Sequence, residues 1–305
     1  MKLVYVTGCL GFIGSYVTRK CLERGWKVYG VDKETYVANT SLWQEFMSHD
    51  NFEYVNVDIK DLDHLYDCDY VINTAAESHV GNSIISSKEF INSNIVGVQN
   101  LLDLIKNKPV NCNRRPIFFH FSTDEVFGPA PEGVSFKEWD RYNSTNPYSA
   151  SKAGGEELAV AFENTYKLPI IITHTMNVFG ERQHPEKYIP NTLWKLRNGE
   201  KILIHSDSTK TKPGSRHYIY SEDVASAVLY IVNNKDKLAK SSLDQYGARC
   251  KKVNIPGTKE LDNLQVAELI SEYSGLNLNY ELVDFHSTRP GHDLRYALDD
   301  SFIKS

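Results

Sequence analysis

The opening of the chain admits few folds. Lys2-Leu3-Val4-Tyr5-Val6-Thr7 is a short β-rich run that leads directly into Gly8-Cys9-Leu10-Gly11-Phe12-Ile13-Gly14, and Ser15 to Arg24 then reads as a helix. Strand, glycine turn and helix, in that order, are the context in which a glycine triplet marks a dinucleotide site rather than an ordinary turn. Gly8 permits the tight turn, Gly11 lets a pyrophosphate approach the backbone beside Phe12 and Ile13, and Gly14 permits close packing of helix on strand. The helix amino terminus adds N–H groups and a positive dipole end. A second strand, Trp26 to Val31, ends at Asp32, about 20 residues beyond Gly14. A carboxylate there accepts hydrogen bonds from ribose hydroxyls and repels a 2′-phosphate, which favours NAD over NADP. A strand-end turn aspartate is the plainer alternative.

Further strands follow the same rhythm. Phe52 to Val57 runs into Asp58 and Ile59, where an adenine could rest, and Asp69 to Asn73 runs into Thr74-Ala75-Ala76, small enough for close approach to a cofactor. Pro116 to Phe121 is an apolar run broken only by His120, the signature of a buried strand. Strands alternating with helical patterns predict an α/β fold built on a doubly wound parallel sheet. The 305 residues allow one large domain and a smaller or interleaved one.

The run from Pro116 should deliver Thr123, Asp124 and Glu125 to the carboxyl edge of the sheet, where open α/β sheets bind ligands. Taken alone, a hydroxyl and two acids there could be a solvated loop. Tyr148 and Lys152, spaced i and i+4 on a helix predicted to run to about Tyr166, share one face. An ammonium beside a phenol lowers its pKa toward the range a proton shuttle needs. By itself the spacing favours a surface helix pair; its place after a dinucleotide fingerprint and the strand-end Ser122-Thr123 reverses that preference.

Several classes are disfavoured. A net charge of −5 gives no electrostatic argument for nucleic acid or membrane surfaces. Cys9, Cys21, Cys68, Cys112 and Cys250 are odd in number, widely spaced and without a C-x-x-C pair, which suits a reducing compartment and opposes a disulfide framework or zinc site. His184, His205 and His217 share no metal-ligand spacing, so no metal is expected. Without a signal-peptide pattern at Met1 to Val6 or a long apolar run, the expected location is cytoplasmic.

Together the glycine fingerprint, the strand-end Thr123 and Tyr148-x-x-x-Lys152 resemble the extended short-chain dehydrogenase/reductases. Asp32-Lys33-Glu34-Thr35-Tyr36, Ala75 to Val80, Thr123 to Gly128, Pro185 to Pro190 and Arg289 to Asp293 resemble the nucleoside-diphosphate-glucose 4,6-dehydratases, from Lys2 to about Asp299. The adjacent acids Asp124-Glu125 are the most specific part, since related epimerases and reductases lack them. The resemblance implies bound NAD, contacted also by Lys33, and a dTDP- or UDP-glucose substrate. Tyr148 would take the C4 hydroxyl proton, Thr123 hold the C4 oxygen, Glu125 abstract the C5 proton and Asp124 protonate the departing C6 hydroxyl. It further implies His79, Asn177, Lys187, His205, Arg216, Asn254, Arg289 and His292 around the sugar nucleotide, and a homodimer through helices near Asn94 to Lys106 and Tyr148 to Tyr166. The expected division is 1–176 plus about 217–250 for NAD, and about 177–216 plus 251–305 for the sugar nucleotide.

Two departures bear on specificity. The family often has an acid where this chain has Gly81, and a proline and a tyrosine near the base where it has Leu203 and His205. The rival readings are a sugar-nucleotide 4-epimerase, which has no C6 hydroxyl to expel and no use for the acid pair, and a non-catalytic NAD-binding protein.

Overall fold

A computed structural model of the chain describes residues 1–108, 115–241, 251–284 and 294–304. Strand β1 (Leu3–Thr7), helix α1 (Phe12–Glu23), β2 (Lys27–Asp32), α2 (Ser41–Met47), β3 (Phe52–Asn56) and β4 (Tyr70–Asn73) form the first half of the sheet and its connections. Then come α3 (Val80–Ile85), α4 (Lys88–Ile91), a π-helical turn Asn92–Gly97, α5 (Val98–Lys106), β5 (Ile117–Thr123), a 3-10 turn Asp124–Phe127, α6 (Pro147–Tyr166) and β6 (Ile170–Thr175). The remainder is β7 (Asn177–Phe179), α7 (Tyr188–Arg197), β8 (Ile202–Ser206), β9 (Ser215–Tyr220), α8 (Ser221–Asn233), α9 (Lys235–Ser241), β10 (Lys251–Ile255), β11 (Lys259–Asp262), α10 (Asn263–Ser274), β12 (Tyr280–Asp284) and α11 (Ser301–Lys304).

The main sheet has seven parallel strands in the order β10-β6-β5-β4-β1-β2-β3. Every residue of β5 is buried, His120, Ser122 and Thr123 included, as befits a strand covered on both faces. One face packs on α1 and α8 through Val17, Cys21, Val228 and Leu229; the other packs on α5 and α6 through Leu101, Leu102, Ile105 and Ala159. Two small sheets, β11-β9-β7 and β12-β8, lie beyond it, with Leu196, Ile202, Ile204 and Ala267 packing α7 and α10 together.

The sheets move two boundaries from where the sequence suggested them. Ser215–Tyr220 pairs in the small sheet, while Lys251–Ile255 pairs in register with Ile171–Thr175 of the main one. The chain thus crosses between the sheets at residues that spacing alone does not mark. Among the described residues no helix is long and apolar enough to cross a membrane. Cys9, Cys21 and Cys68 are free thiols; Cys112 and Cys250 lie outside the described residues.

Candidate active site

Strand order reverses between β1 and β4, and a cleft of about 390 Å³ opens at the carboxyl edge there. Gly8, Gly11, Phe12, Ile13, Gly14, Asp32, Lys33, Asp58, Ile59 and Ala75 line one part of it; Thr123, Asp124, Glu125, Tyr148, Lys152, Asn177 and Lys187 line the rest. One cleft therefore gathers the dinucleotide fingerprint and the acid pair.

The glycine turn fits a dinucleotide. Gly8 has φ +70, the left-handed conformation that glycine adopts without penalty. A Cβ at Gly14 would sit 2.0 Å from Gly8 O and 2.6 Å from Thr74 Oγ1, so helix and strand close here only around a hydrogen atom. Gly14→Ala is accordingly expected to destabilise the fold by about 3 kcal/mol, read from the urea midpoint at constant m. Gly11 caps α1 with no side-chain cap, which leaves the amino end of the helix presented to the cleft. Asp32 accepts from Leu10 N at 3.0 Å through Oδ2 and from Glu34 N at 2.9 Å through Oδ1, anchoring the carboxylate at the end of β2. Lys33 Nζ lies 3.5 Å from Asp58 Oδ2 and 3.4 Å from Glu77 Oε1. The π-turn delivers Asn94, whose Oδ1 accepts Glu77 N at 3.0 Å and whose Nδ2 donates to Glu77 O at 2.9 Å and Ser151 Oγ at 2.8 Å. It ties the wall of the cleft to α6.

At the reaction end, Thr123 terminates β5 and shares a hydrogen bond with the Tyr148 phenol. Its Oγ1 also donates to Asp124 Oδ1 at 3.0 Å and accepts Glu125 N at 3.4 Å. Asp124 is buried, and burial, followed by the neighbouring Glu125 charge, pushes its carboxyl up to about 7. Arg216 and the Thr123 hydroxyl oppose that rise. The two acids therefore differ in surroundings: Glu125 is half-buried and accepts Asn146 Nδ2 at 3.1 Å, whereas Asp124 Oδ2 is buried without a partner among the described residues. An acid with a raised pKa beside a hydrogen-bonded carboxylate is what separate acid and base roles need.

One expectation is corrected here. Lys152 does not lower the phenol: its ammonium donates to Phe121 O, and burial brings Lys152 down to about 8, with Glu156 opposing. Burial, and then the charges of Glu125 and Asp124, raise the Tyr148 phenol above its ordinary value, with only Thr123 acting against them. Burial is the largest influence on the phenol, and the i, i+4 spacing does not offset it.

Of the residues expected around the sugar nucleotide, Asn177 and Lys187 line the cleft and His79 borders it, with Nε2 at 3.8 Å from the lining Glu186. His79 Nδ1 also accepts Asn82 N at 3.1 Å as the cap of α3, and a Cβ at Gly81 would lie 3.0 Å from its ring. His205, Arg216 and Asn254 do not line the cleft. His205 sits on β8, paired with β12. Arg216 is buried on β9, its Nη1 donating to Ser215 O at 2.6 Å and Leu294 O at 2.7 Å, with its guanidinium 4.4 Å from the Tyr296 ring centre. Asn254 is fully buried on β10, its Nδ2 donating to Phe136 O at 2.9 Å and Asp299 O at 3.0 Å and its Oδ1 meeting His174 Nδ1 at 2.9 Å. Its amide is consumed by the core, so the expected nucleotide contact is withdrawn. Arg289 and His292 lie outside the described residues. Sequence reasoning missed Asn94, Asn146 and Glu186; for Asn146 the signal was present, an N-cap residue followed by Pro147. Among the described residues no three His, Cys, Asp or Glu side chains gather as metal ligands.

Comparison with known proteins agrees with this geometry. Residues 5–305 match the family described as GDP-mannose 4,6-dehydratase. A dTDP-glucose 4,6-dehydratase of Haemophilus influenzae is 35% identical over 99% of this chain and 91% of its own. The low-salt glycan biosynthesis protein Agl12 of Haloferax volcanii is 36% identical over 99% of this chain and 91% of its own. A crystal structure of a dTDP-glucose 4,6-dehydratase of Streptomyces venezuelae with NAD bound superposes with TM-score 0.84 at 28% identity, covering 100% of this chain and 90% of that one.

Proposed function

This chain belongs to the nucleotide-sugar 4,6-dehydratases of the extended short-chain dehydrogenase/reductase family, and from that premise we propose that it dehydrates a pyrimidine nucleoside-diphosphate glucose to the 4-keto-6-deoxy sugar nucleotide. The observation that carries the reading is the buried Asp124, its carboxyl raised by burial and by its neighbour, beside a hydrogen-bonded Glu125 in the same cleft as the glycine turn. NAD, held by the glycine turn and Asp32, would supply the reversible hydride acceptor that oxidation at C4 and reduction at C6 require, together with the positive charge of its nicotinamide ring.

The residues of the chain divide the remaining tasks. The glycine turn and the start of α1 hold the pyrophosphate, and Asp32 the adenosine ribose. Tyr148 takes the proton of the sugar's C4 hydroxyl at Oη only as the phenolate, a state that burial and the two acids oppose in the chain alone and that the positive ring of bound NAD would favour, while the Thr123 hydroxyl, already in contact with that phenol, holds the C4 oxygen beside it. Once C4 is a ketone the C5 proton is acidic, and Glu125 removes it. Asp124 gives its proton to the C6 hydroxyl, which leaves as water, and a proton returned to C5 completes the exchange. The net change is the loss of one water. Lys152 holds its ammonium against the Phe121 carbonyl at the inner wall of the cleft. Asn177 and Lys187 face the sugar nucleotide.

Two expected results arise directly. Replacing Asp32 by Ser should weaken NAD binding about 10-fold and remove most of the discrimination against NADP, measured by titrating both dinucleotides. Pairing of two chains through the face that includes the exposed Ile91 and Val96 should give light scattering at twice the chain mass. The test of the function is incubation of purified protein with UDP-glucose and dTDP-glucose separately. A 4-keto-6-deoxy product from either supports the reading and identifies the base. A 4-epimerised hexose would instead support an epimerase, and tight NAD binding without turnover of either sugar a binding protein.

A further inference from the structure

Asn146 stands where the two halves of the chemistry meet. Its Oδ1 caps α6 by accepting Ser149 N at 2.8 Å, and Ser149 Oγ accepts Asn146 N at 3.3 Å in return. With Oδ1 committed to the cap, the orientation of the amide is settled, and its Nδ2 donates to Glu125 Oε2 at 3.1 Å. The side chain is 6% exposed, so this contact is made with little water to compete. The helix it caps carries Tyr148 and Lys152, and the same helix end is held from α3, where Ser83 Oγ accepts Tyr148 N at 3.2 Å.

The neighbouring acid receives no such contact. Asp124 Oδ1 takes the Thr123 hydroxyl, while Oδ2 is buried and unpartnered among the described residues. Asp124 and Tyr148 both interact electrostatically with Glu125. A carboxylate that accepts an amide N–H is stabilised as the anion and fixed in direction; a buried one with an oxygen left unpartnered keeps its proton more readily. A serine at position 146 could cap the helix equally well, but it lacks the second polar atom with which the amide reaches Glu125 while its oxygen stays on the cap.

We propose that Asn146 is a positioning residue for the elimination half of the reaction, its amide holding Glu125 Oε2 so that Glu125 acts as the C5 base and Asp124 as the acid. The proposal rests on the dehydratase reading and adds to it a residue that does not itself line the cleft.

Asn146→Ser and Asn146→Asp both keep a capping oxygen, so both should fold with melting temperatures near that of the parent chain. Each is mixed rapidly with whichever sugar nucleotide the wild type turns over, following absorbance of the reduced nicotinamide for oxidation and 4-keto-6-deoxy product for elimination. Oxidation should stay within about 2-fold of wild type while elimination slows about 10- to 100-fold in the serine variant. The aspartate variant, which sets a like charge against Glu125, should be slower still, and both should accumulate reduced cofactor transiently. Unchanged elimination, or equal slowing of both steps, would overturn the role. If the serine variant melts early, the aspartate variant carries the same comparison. A wild-type chain that turns over neither sugar would instead remove the dehydratase reading, and would be seen before any variant was made.

Discussion

Asp124→Asn and Glu125→Gln should each slow formation of the 4-keto-6-deoxy product by about 10²- to 10⁴-fold while leaving sugar oxidation measurable, because each removes one proton transfer. The two variants should also differ in stability. Asp124 carries a carboxyl raised to about 7 by burial and then by Glu125, so the folded chain holds this proton through a range in which the unfolded chain has lost it. The ionised group therefore weighs against the fold as pH rises from about 4 toward 7. Replacing it with a neutral amide should raise the melting temperature at pH 8 even as activity collapses. Glu125→Gln, which turns a hydrogen-bonded acceptor into an amide facing Asn146 Nδ2, should not. In the wild type, elimination should decline above about pH 7 as Asp124 loses its proton. A product rate that stays flat to pH 9, with elimination rate-limiting, would show that another group supplies it.

Removing the Glu156 carboxylate should destabilise the chain by about 3–5 kcal/mol, the cost of leaving buried charge unpaired. Glu156 lies on α6 one turn beyond Lys152, is fully buried, and sits 2.9 Å from Lys252 Nζ and 3.0 Å from His174 Nε2, with a further hydrogen bond from Tyr142. Burial by itself would push this carboxyl up. His174, Lys252 and Tyr142 overcome that and hold it well below the ordinary range. A depressed folded pKa contributes stability above the ordinary carboxylate range and loses it as pH falls through the folded value. Glu156→Gln should therefore lose most at neutral pH, with a lower urea midpoint at constant m. Lys252, 4.2 Å from the Trp139 ring centre, would be left without its counter-charge. Adding Lys252→Met to Glu156→Gln should recover a large part of the loss, since an apolar replacement removes the stranded ammonium.

These two outcomes mark what the sequence could and could not convey. The sheet is legible because strands buried on both faces cannot alternate: from Ile117 to Phe121 only His120 interrupts the apolar run, and the strand lies inside the sheet. The cofactor end is legible because Gly14 has no room for a Cβ, and such a requirement writes itself into residue type. Thr123, Asp124 and Glu125 follow from the strand that delivers them. What spacing cannot disclose is which partner a polar side chain finds across the fold. Asn254 reads as a nucleotide contact, yet its amide closes a core network with His174, drawn from a strand 80 residues earlier. Lys152 reads as the partner of the phenol, yet its ammonium finds a backbone carbonyl on β5. Both depend on long-range register, as does the crossing of Ser215–Tyr220 and Lys251–Ile255 between sheets.

The central claim is that oxidation at C4 and water loss across C5 and C6 occur in one cleft on one sugar. It is tested most directly with a nucleoside-diphosphate glucose deuterated at C4, supplied with the uridine and then the thymidine base. The account predicts a 4-keto-6-deoxy product that carries the deuterium on its C6 methyl group, with a solvent hydrogen at C5. Recovery of deuterium at C4 of an epimerised hexose, or its return to C4 of unchanged glucose with no loss of water, would contradict it.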